Sequence, residues 1–205
     1  MSSTESLRER RKRELRRQLS DTATRMFLER GFDAVRVADV ARACGVTEKT
    51  VFNHFRGKEA LLADRWDAQA DALCGRLADA ATAPLDAALE VLGQELAFLV
   101  TAARRHGWDD VRRFGELIRS TPALVAHNRE ALDRLADAAA AALAGRSGTA
   151  PDDPATRITA SAIAGLWDLH ARSLQRHLAE RSADVARAVL ADLERAAEVL
   201  RRGLV

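Results

Sequence analysis

The chain has no tyrosine, few aromatic residues and only two cysteines, Cys44 and Cys74, in 205 residues. Two cysteines cannot supply a disulfide framework at this length, so both are expected to be buried free thiols in a reducing compartment. No apolar run approaches the roughly 18 residues that a membrane span needs, and the N-terminus lacks an apolar signal core. We therefore expect a cytoplasmic protein with no membrane partner.

Motifs of catalysis and metal binding are also missing from the sequence. The five histidines form no His-x-x-x-His or His-Glu-x-x-His pattern, and there is no Cys-x-x-Cys pair. A nucleophile elbow, a phosphate-binding loop and a dinucleotide fingerprint are absent as well. We expect no catalytic residues, no metal and no cofactor, and an α-helical enzyme is the most distant of the alternative functions.

The residues that are present favour helices throughout. Ala, Leu and Arg abound, and apolar residues recur three and four positions apart without any strand-like alternation. The sequence predicts an all-α fold of about nine helices. The predicted helices cover about residues 11–30, 37–44, 47–55, 58–80 and 84–105, a shorter one ending before Pro122, then 122–144, 154–180 and 182–202.

Positive charge is concentrated near the N-terminus. Residues 1–60 hold 14 Lys and Arg against 9 Asp and Glu, a balance of +5, although the whole chain has a net charge of only +2. Seven of these cations lie between Arg8 and Arg17. The run has two interpretations, a continuation of the first helix with i,i+4 ion pairs or a flexible arm that reaches along a nucleic-acid groove.

The segment VADVARACGVTEKTVFNHFRGKEALL, Val37 to Leu62, has the pattern of a helix-turn-helix. Ala41 is the small residue where two helices cross, and Gly45 permits the turn between them. The second of these helices has polar groups suited to base edges and phosphates, namely Thr47, Glu48, Lys49, Thr50, Asn53 and His54. An ordinary helical hairpin with a polar face is the alternative interpretation.

Residues Gly31 to Leu62 resemble the DNA-binding domain of the tetracycline-repressor (TetR) family of bacterial transcription regulators. The matching motifs are Gly31-Phe32, Val37 with Val40-Ala41, Gly45-Val46-Thr47, Thr50 with Phe52 and Phe55, and Lys58-Glu59 with Leu61. The resemblance implies a DNA-binding domain over residues 1–57, with a basic arm over 1–13. It also implies a helical ligand-binding and dimerisation domain over residues 58–205.

By the same resemblance, Thr47, Lys49, Thr50, Phe52 and His54 lie on a recognition helix in the major groove, and Phe52 and Lys58 meet backbone phosphates. Phe52 stands where the family often has Tyr, so a hydroxyl contact to phosphate is missing. Arg36 stands where the family often has a capping Thr, and it offers a charge-assisted phosphate contact instead. The expected partner is double-stranded operator DNA, bound by a repressor that a small molecule releases.

The second half of the sequence is expected to bind that molecule. Bulky apolar residues on several helices can together wall a cavity, although plain core packing is the more ordinary role for any one of them. Nearby polar residues are suited to a polar head group. The predicted ligand-binding residues are Trp66, Phe98, Arg104, His106, Trp108, Phe114, Trp167 and His170.

The last two predicted helices have apolar stripes suited to an intersubunit four-helix bundle, the dimerisation mode that the resemblance implies. The predicted interface residues are Ile158, Ala162, Leu166, Leu169, Val185, Val189, Leu193 and Leu200. A homodimer presents two recognition helices to successive turns of a palindromic site. The competing hypothesis is a helical protein that binds a partner or lipid through its cavity, with a purely structural hairpin.

Overall fold

The computed structural model describes residues 6–62 and 64–203, and within them it contains nine α-helices and no strand. The all-α prediction is confirmed. The helices are α1 (Leu7–Arg30), α2 (Val37–Ala43), α3 (Glu48–Phe52), α4 (Asp64–Ala78), α5 (Pro84–His106), α6 (Trp108–Ser120), α7 (Pro122–Ser147), α8 (Pro154–Ala179) and α9 (Val185–Arg202). A short 3-10 helix covers Glu59–Leu61.

Helix α1 begins four residues before its predicted start, because a capping box closes its N-terminus. The Ser6 hydroxyl accepts a hydrogen bond from the Glu9 amide at 3.2 Å, and the Glu9 carboxylate accepts one from the Ser6 amide at 3.0 Å. The basic run from Arg8 to Arg17 therefore continues the first helix. Residues 1–5 of the predicted arm lie outside the described residues.

The start predicted for the fourth helix is wrong. Lys58 was expected to open a long helix, but it precedes the 3-10 helix Glu59–Leu61, and α4 covers Asp64–Ala78. The hydroxyl of Ser20 on α1 donates to the Leu61 carbonyl at 2.8 Å, which satisfies a backbone group at the end of this turn. The apolar pattern of Leu61 and Leu62 fits either kind of helix, so spacing alone did not separate them.

The chain divides into two compact units. One comprises Met1–Arg65 with Leu117–His127, and the other comprises Trp66–Glu116 with Asn128–Val205. The core of the first unit is built by α1 to α3, the 3-10 helix and the start of α7. Its buried apolar residues are Leu19, Ala23, Met26, Phe27, Phe32, Val35, Val40, Ala41, Val51, Phe55, Leu61 and Leu124.

The core of the second unit joins α4, α5, α7, α8 and α9. It contains four of the residues predicted for the dimer interface, and this is a correction to that prediction. Leu166, Val185, Val189 and Leu193 are buried in the protomer's own core, so their side chains are not available to a partner chain. The inner stripe of an amphipathic helix and an intersubunit stripe have the same spacing, and here the inner stripe accounts for these residues.

The other four residues predicted for the dimer interface keep some exposure. Ile158 is largely exposed, whereas Ala162, Leu169 and Leu200 are half-buried. Among the described residues, none of the helices combines the length and the apolar character that crossing a membrane requires.

Candidate nucleic-acid interface

A tight turn at Gly45 joins α2 to α3. Gly45 has φ of +69°, a left-handed conformation that a side chain makes costly, and the Val46 amide donates to the Ala41 carbonyl at 2.9 Å. Ala41 is buried where the two helices meet, as the sequence predicted. The glycine and the small residue together allow the helix-turn-helix to close.

Helix α3 is only five residues long, and side chains at both ends hold it in place. At its start, the Thr47 hydroxyl accepts a hydrogen bond from the Thr50 amide at 3.2 Å and so caps the helix. Val51 inside the helix and Phe55 just after it are buried in the first core. The opposite face of α3 is therefore turned outward.

That outer face has the composition expected of a surface that reads DNA. On α3 and the residues that flank it, five side chains are exposed, namely Thr47, Glu48, Lys49, Phe52 and Asn53, and two are half-buried, namely Thr50 and His54. His54, predicted to lie on the recognition helix, comes after the last helical residue, Phe52. Phe52 is 53% exposed, although an aromatic ring is normally buried in a hydrophobic core. An exposed ring beside hydrogen-bonding groups is suited to packing on sugar and base surfaces.

Arg36 directly precedes α2, and its side chain is exposed. Its backbone amide donates to the Asp39 carboxylate at 3.0 Å, and this bond lowers the pKa of Asp39. The carboxylate thus satisfies the backbone amide of residue 36 at the start of α2, whereas the bond that a Thr side chain there would accept from a helix amide is not replaced. The guanidinium of Arg36 remains available for a phosphate.

Lys58 contacts aromatic rings in the structure, a contact that the sequence did not predict. Its ammonium lies 4.2 Å from the centre of the Phe32 ring and 5.6 Å from that of Phe27. Both rings are buried, so the lysine covers the edge of the first core. The predicted phosphate contact of Lys58 requires the ammonium to reach outward from this position.

Arg16 is a second residue that sequence analysis did not single out. Its guanidinium lies 4.6 Å from the centre of the Phe55 ring and donates to the His54 carbonyl at 2.6 Å. Arg16 precedes the buried residues Leu19 and Ala23 by three and seven positions, which places it on the inner stripe of α1. That spacing was the signal in the sequence, and the surrounding basic run obscured it.

In the second unit, the residues predicted to bind a ligand lie in three kinds of place. Trp167 and His170 are buried in the core, and Trp66, Trp108 and Phe114 are half-buried. Arg104 and His106, near the end of α5, are exposed. Phe98 is also exposed and not part of an interior wall, because it lies about 200° around α5 from the buried Leu96.

Arg104 and Trp108 lie together beside the start of α9. With Val100, Ala103 and residues 183–186 they line a pocket of about 230 Å³.

Deeper in this unit, the Trp167 indole donates to the Gln69 side chain at 2.9 Å. Burial lowers the pKa of His170, while the nearby Glu95 carboxylate opposes that shift. A neutral imidazole thus lies in the core of this unit.

A larger groove, of about 820 Å³, lies between α5, α8 and α9. Its lining includes Leu89, His177, Asp192, Arg195 and Arg201, none of which was predicted to bind a ligand. Within the described part of the chain, no three His, Cys, Asp or Glu side chains gather as metal ligands. Among the charges that line this groove, Arg195 pairs with Asp192 and Arg201 with Glu198.

Two family models match the sequence. Residues 19–64 match the model described as bacterial regulatory proteins, tetR family, and residues 88–205 match the one described as MftR C-terminal domain. The first match contains the helix-turn-helix, and the second covers more than half of the chain. Together they span both units.

Similar proteins are known among curated sequences and solved structures. The HTH-type transcriptional repressor KstR2 of Mycolicibacterium smegmatis is 29% identical over 110 residues, 50% of this chain and 52% of the repressor. The match to this curated relative thus spans about half of its length.

Two solved structures show the same fold. NalD, the secondary repressor of the MexAB-OprM multidrug efflux pump in Pseudomonas aeruginosa, has a TM-score of 0.52 at 20% identity, over 94% of this chain and 97% of NalD. Thermus thermophilus FadR, a TetR family transcriptional repressor in complex with lauroyl-CoA, has a TM-score of 0.50 at 23% identity, over 93% of this chain and 95% of FadR.

Proposed function

Because the chain belongs to the TetR family of bacterial regulatory proteins, we propose that it is a sequence-specific DNA-binding regulator in the cytoplasm. In this proposal it is a homodimeric repressor that leaves a palindromic operator when a small, largely apolar effector binds. The observation that carries the proposal is the outer face of α3. Lys49, Asn53 and Phe52 are exposed there on a helix whose other face is buried in the core.

In the proposed complex with DNA, the polar and the aromatic side chains on and beside α3 have different contacts. Lys49, Thr50 and Asn53 supply hydrogen bonds to base edges, and Phe52 packs on the sugar-phosphate backbone. Arg36, at the start of α2, donates to a phosphate. Two recognition helices of a two-fold dimer lie about 34–36 Å apart on successive turns of one DNA face, which accounts for a palindromic site.

The effector side rests on the second unit, where Trp66, Trp108 and Trp167 contribute to one apolar cluster. The division between the two units falls at Arg65 and Trp66, within the first turn of α4. A ligand that binds among the helices of the second unit acts through α4 on the DNA-binding unit. It releases DNA only if it binds the DNA-incompetent arrangement more tightly than the competent one.

The experiment that tests the DNA-binding proposal is selection from a randomised duplex, followed by salt titration on the enriched site. We expect an enriched palindrome, with log K falling by about 0.9 for each phosphate contact per unit of log salt. The absence of enrichment, from protein shown by denaturation and extraction to carry no small molecule, would contradict sequence-specific binding. A shallow salt slope would then favour a helical protein that binds another partner through its cavity.

Lys49→Ala is expected to abolish the preference for the enriched site over random duplex. Each lost base contact of this kind costs about 1–3 kcal/mol of discrimination. Binding is measured by fluorescence anisotropy on both duplexes, and Thr50→Ala is expected to act in the same direction. Arg105→Ala, which removes an exposed cation from the second unit, is the control and is expected to change neither affinity. If Lys49→Ala and Thr50→Ala both keep the preference of the wild type, α3 is not the recognition helix.

Release by an effector is tested on the same operator complex. Small apolar compounds are added at increasing concentration, and lauroyl-CoA, the molecule bound to FadR, is tested beside them because it joins an apolar acyl chain to a charged group. Loss of the operator complex without loss of secondary structure supports ligand-gated repression. Strengthening of the complex would instead indicate that the effector promotes DNA binding.

A further inference from the structure

Arg16 differs from the other cations of the basic run in where its side chain lies. The side chains from Arg8 to Arg13 are exposed, whereas Arg16 is half-buried. Its guanidinium is stacked on the buried Phe55 ring at 4.6 Å and donates to the His54 carbonyl at 2.6 Å. The guanidinium of Arg16 therefore contacts other residues of the first unit and does not extend into solvent as the neighbouring cations do.

The two residues that Arg16 contacts come directly after α3. A helix of five residues cannot fix its own orientation, since isolated helices shorter than about 12–15 residues are marginal in water. The orientation of α3 must therefore come from tertiary contacts. The bond between the Thr50 amide and the Thr47 hydroxyl is local to α3. The buried Val51 anchors the helix in the first core, and Arg16 holds the backbone just beyond its C-terminal end.

A second tether lies one turn further along α1. The Ser20 hydroxyl donates to the Leu61 carbonyl at 2.8 Å, so residues four apart on one face of α1 bind two backbone carbonyls. These carbonyls bracket the segment 54–61, which begins just after α3 and includes the 3-10 helix. Helix α1 thus serves as a rigid support to which the exit of α3 is attached at two points.

We propose that Arg16 is a positioning residue that sets the orientation of α3 for base recognition, and that it is not a phosphate contact. This inference rests on the proposed DNA-binding function. Base recognition requires correctly aimed hydrogen bonds, whereas non-specific binding is supplied almost entirely by phosphate electrostatics. Loss of the Arg16 contacts therefore weakens operator binding and leaves binding to random DNA nearly unchanged.

Arg16→Lys is the decisive variant because it keeps the charge. Lysine has neither the planar group that stacks on Phe55 nor the fork of donors that arginine offers. We expect the ratio of operator to random-duplex affinity to fall about tenfold, with the salt slope unchanged, because a single ammonium cannot keep both the hydrogen bond to the His54 carbonyl and the stacked contact on the Phe55 ring. Arg16→Gln is expected to lower the ratio by a similar factor.

Arg17→Lys is the matched control. Arg17 is the next residue on α1, is exposed, and pairs with Glu14 at 2.8 Å. We expect this variant to keep the ratio of the wild type. All variants are compared below their melting temperatures, with helix content checked by circular dichroism. If Arg16→Lys does not fold, Ser20→Ala tests the second tether and is expected to lower the ratio without altering charge.

Two results would overturn the proposal. If Arg16→Lys binds both duplexes like the wild type while Arg16→Gln weakens both equally and reduces the salt slope by about 0.9, Arg16 is a phosphate contact. If neither variant changes the ratio, the contacts to His54 and Phe55 do not set the recognition geometry. Failure of the proposed function is seen separately, since the wild-type protein would then enrich no operator.

Discussion

Asp192 carries a negative charge into the core of the second unit, where it is only 7% exposed. Four side chains donate to its carboxylate: Ser173, Arg176 and His177 from α8, and Arg195 from α9. The Ser173 hydroxyl, then His177 and Arg195, lower the pKa of Asp192 well below its usual range, although burial opposes the shift. The carboxylate is thus ionised, and its hydrogen bonds link α9 to α8.

Asp192→Asn is expected to lower the free energy of unfolding by about 2 kcal/mol at pH 7, because an amide offers fewer acceptors to these donors. The lowered pKa means that the carboxylate stabilises the fold above its unfolded pKa of about 3.8 and loses this effect as pH falls below it. The difference between wild type and variant should therefore hold from pH 7 to about pH 4 and narrow below that. Urea unfolding at each pH measures it.

Asp168→Asn is the matched control for this experiment. Asp168 pairs with Arg172 at 2.7 Å on α8, but both side chains are substantially exposed. Its removal is expected to cost less than about 0.5 kcal/mol. Equal losses in the two variants would mean that the buried network around Asp192 contributes no net stability.

The side-chain chemistry at individual positions was predictable from the sequence, but the partner that each long side chain contacts was not. The polar face of α3 and the cap at Thr47 follow from residue type and spacing. Arg16 has the same residue type as the exposed Arg17 beside it, and its spacing to Leu19 and Ala23 indicates that it faces inward but not that it contacts His54 and Phe55. Long flexible cations adopt whichever partner lies within reach, and the partners of Arg16 come from residues 38 and 39 positions away.

At the scale of secondary-structure elements, Arg146 shows how one side chain joins the end of one helix to another. From the last turn of α7 it reaches the backbone that connects α4 to α5, and its nearest acceptor is the Thr82 carbonyl at 2.8 Å. The Leu77, Asp79 and Ala80 carbonyls lie within 3.4 Å of its nitrogens. A helix leaves its last carbonyls without partners, and here a guanidinium supplies them.

Arg146→Gln is expected to destabilise the protein by about 2 kcal/mol, since several charge-assisted bonds to backbone carbonyls are lost together. The measurement is urea unfolding, with hydrogen exchange of the amides near residues 78–82 as a local readout. Arg157→Gln serves as the control, because Arg157 forms a partly exposed pair with Asp137 at 2.7 Å. A loss no greater than that of the control, with unchanged exchange, would show that the α4–α5 connection holds without Arg146.

Helix ends were predictable wherever the sequence contains a distinct stop or start residue. Pro84, Pro122 and Pro154 each begin a helix as predicted, because proline fits the first turn and removes no needed hydrogen bond there. The starts of α1 and α4 were predicted wrongly. A capping box at Ser6 and a tertiary bond to Leu61 decide these two, and the second depends on residues distant in sequence.

At the scale of the whole molecule, the proposed dimer must use surface that the protomer leaves uncovered. Ile158, Ala162, Gly165 and Leu169 follow one another at spacings of four, three and four along α8, and Ile158 is 64% exposed. This stripe lies about 160° around the helix from the buried Trp167. Small residues in its middle allow a second helix to approach closely. The proposed interface therefore retains this part of the predicted set.

Ile158→Glu is expected to convert the proposed dimer into a monomer at micromolar concentration, because a carboxylate in the centre of an apolar contact would be buried without a partner. Sedimentation equilibrium gives the mass directly. Operator affinity is expected to fall by at least about tenfold, since one protomer reads only one half-site, whereas affinity for random duplex changes less. Thr159→Glu, on an exposed position about 100° around the helix, is the control for added charge.

The mass of the variant tests dimerisation, and its operator affinity tests whether dimerisation is needed for DNA recognition. A monomer that still selects the operator at wild-type strength would show that pairing through α8 is not what places two recognition helices on the DNA. A dimer of unchanged mass would show that the interface does not include Ile158. The exposed Val199 of α9 would then be the next apolar residue to replace with a charged one. A monomer with weakened operator binding and a folded α3 is the outcome that supports both the proposed dimer interface and the need for two recognition helices on the DNA.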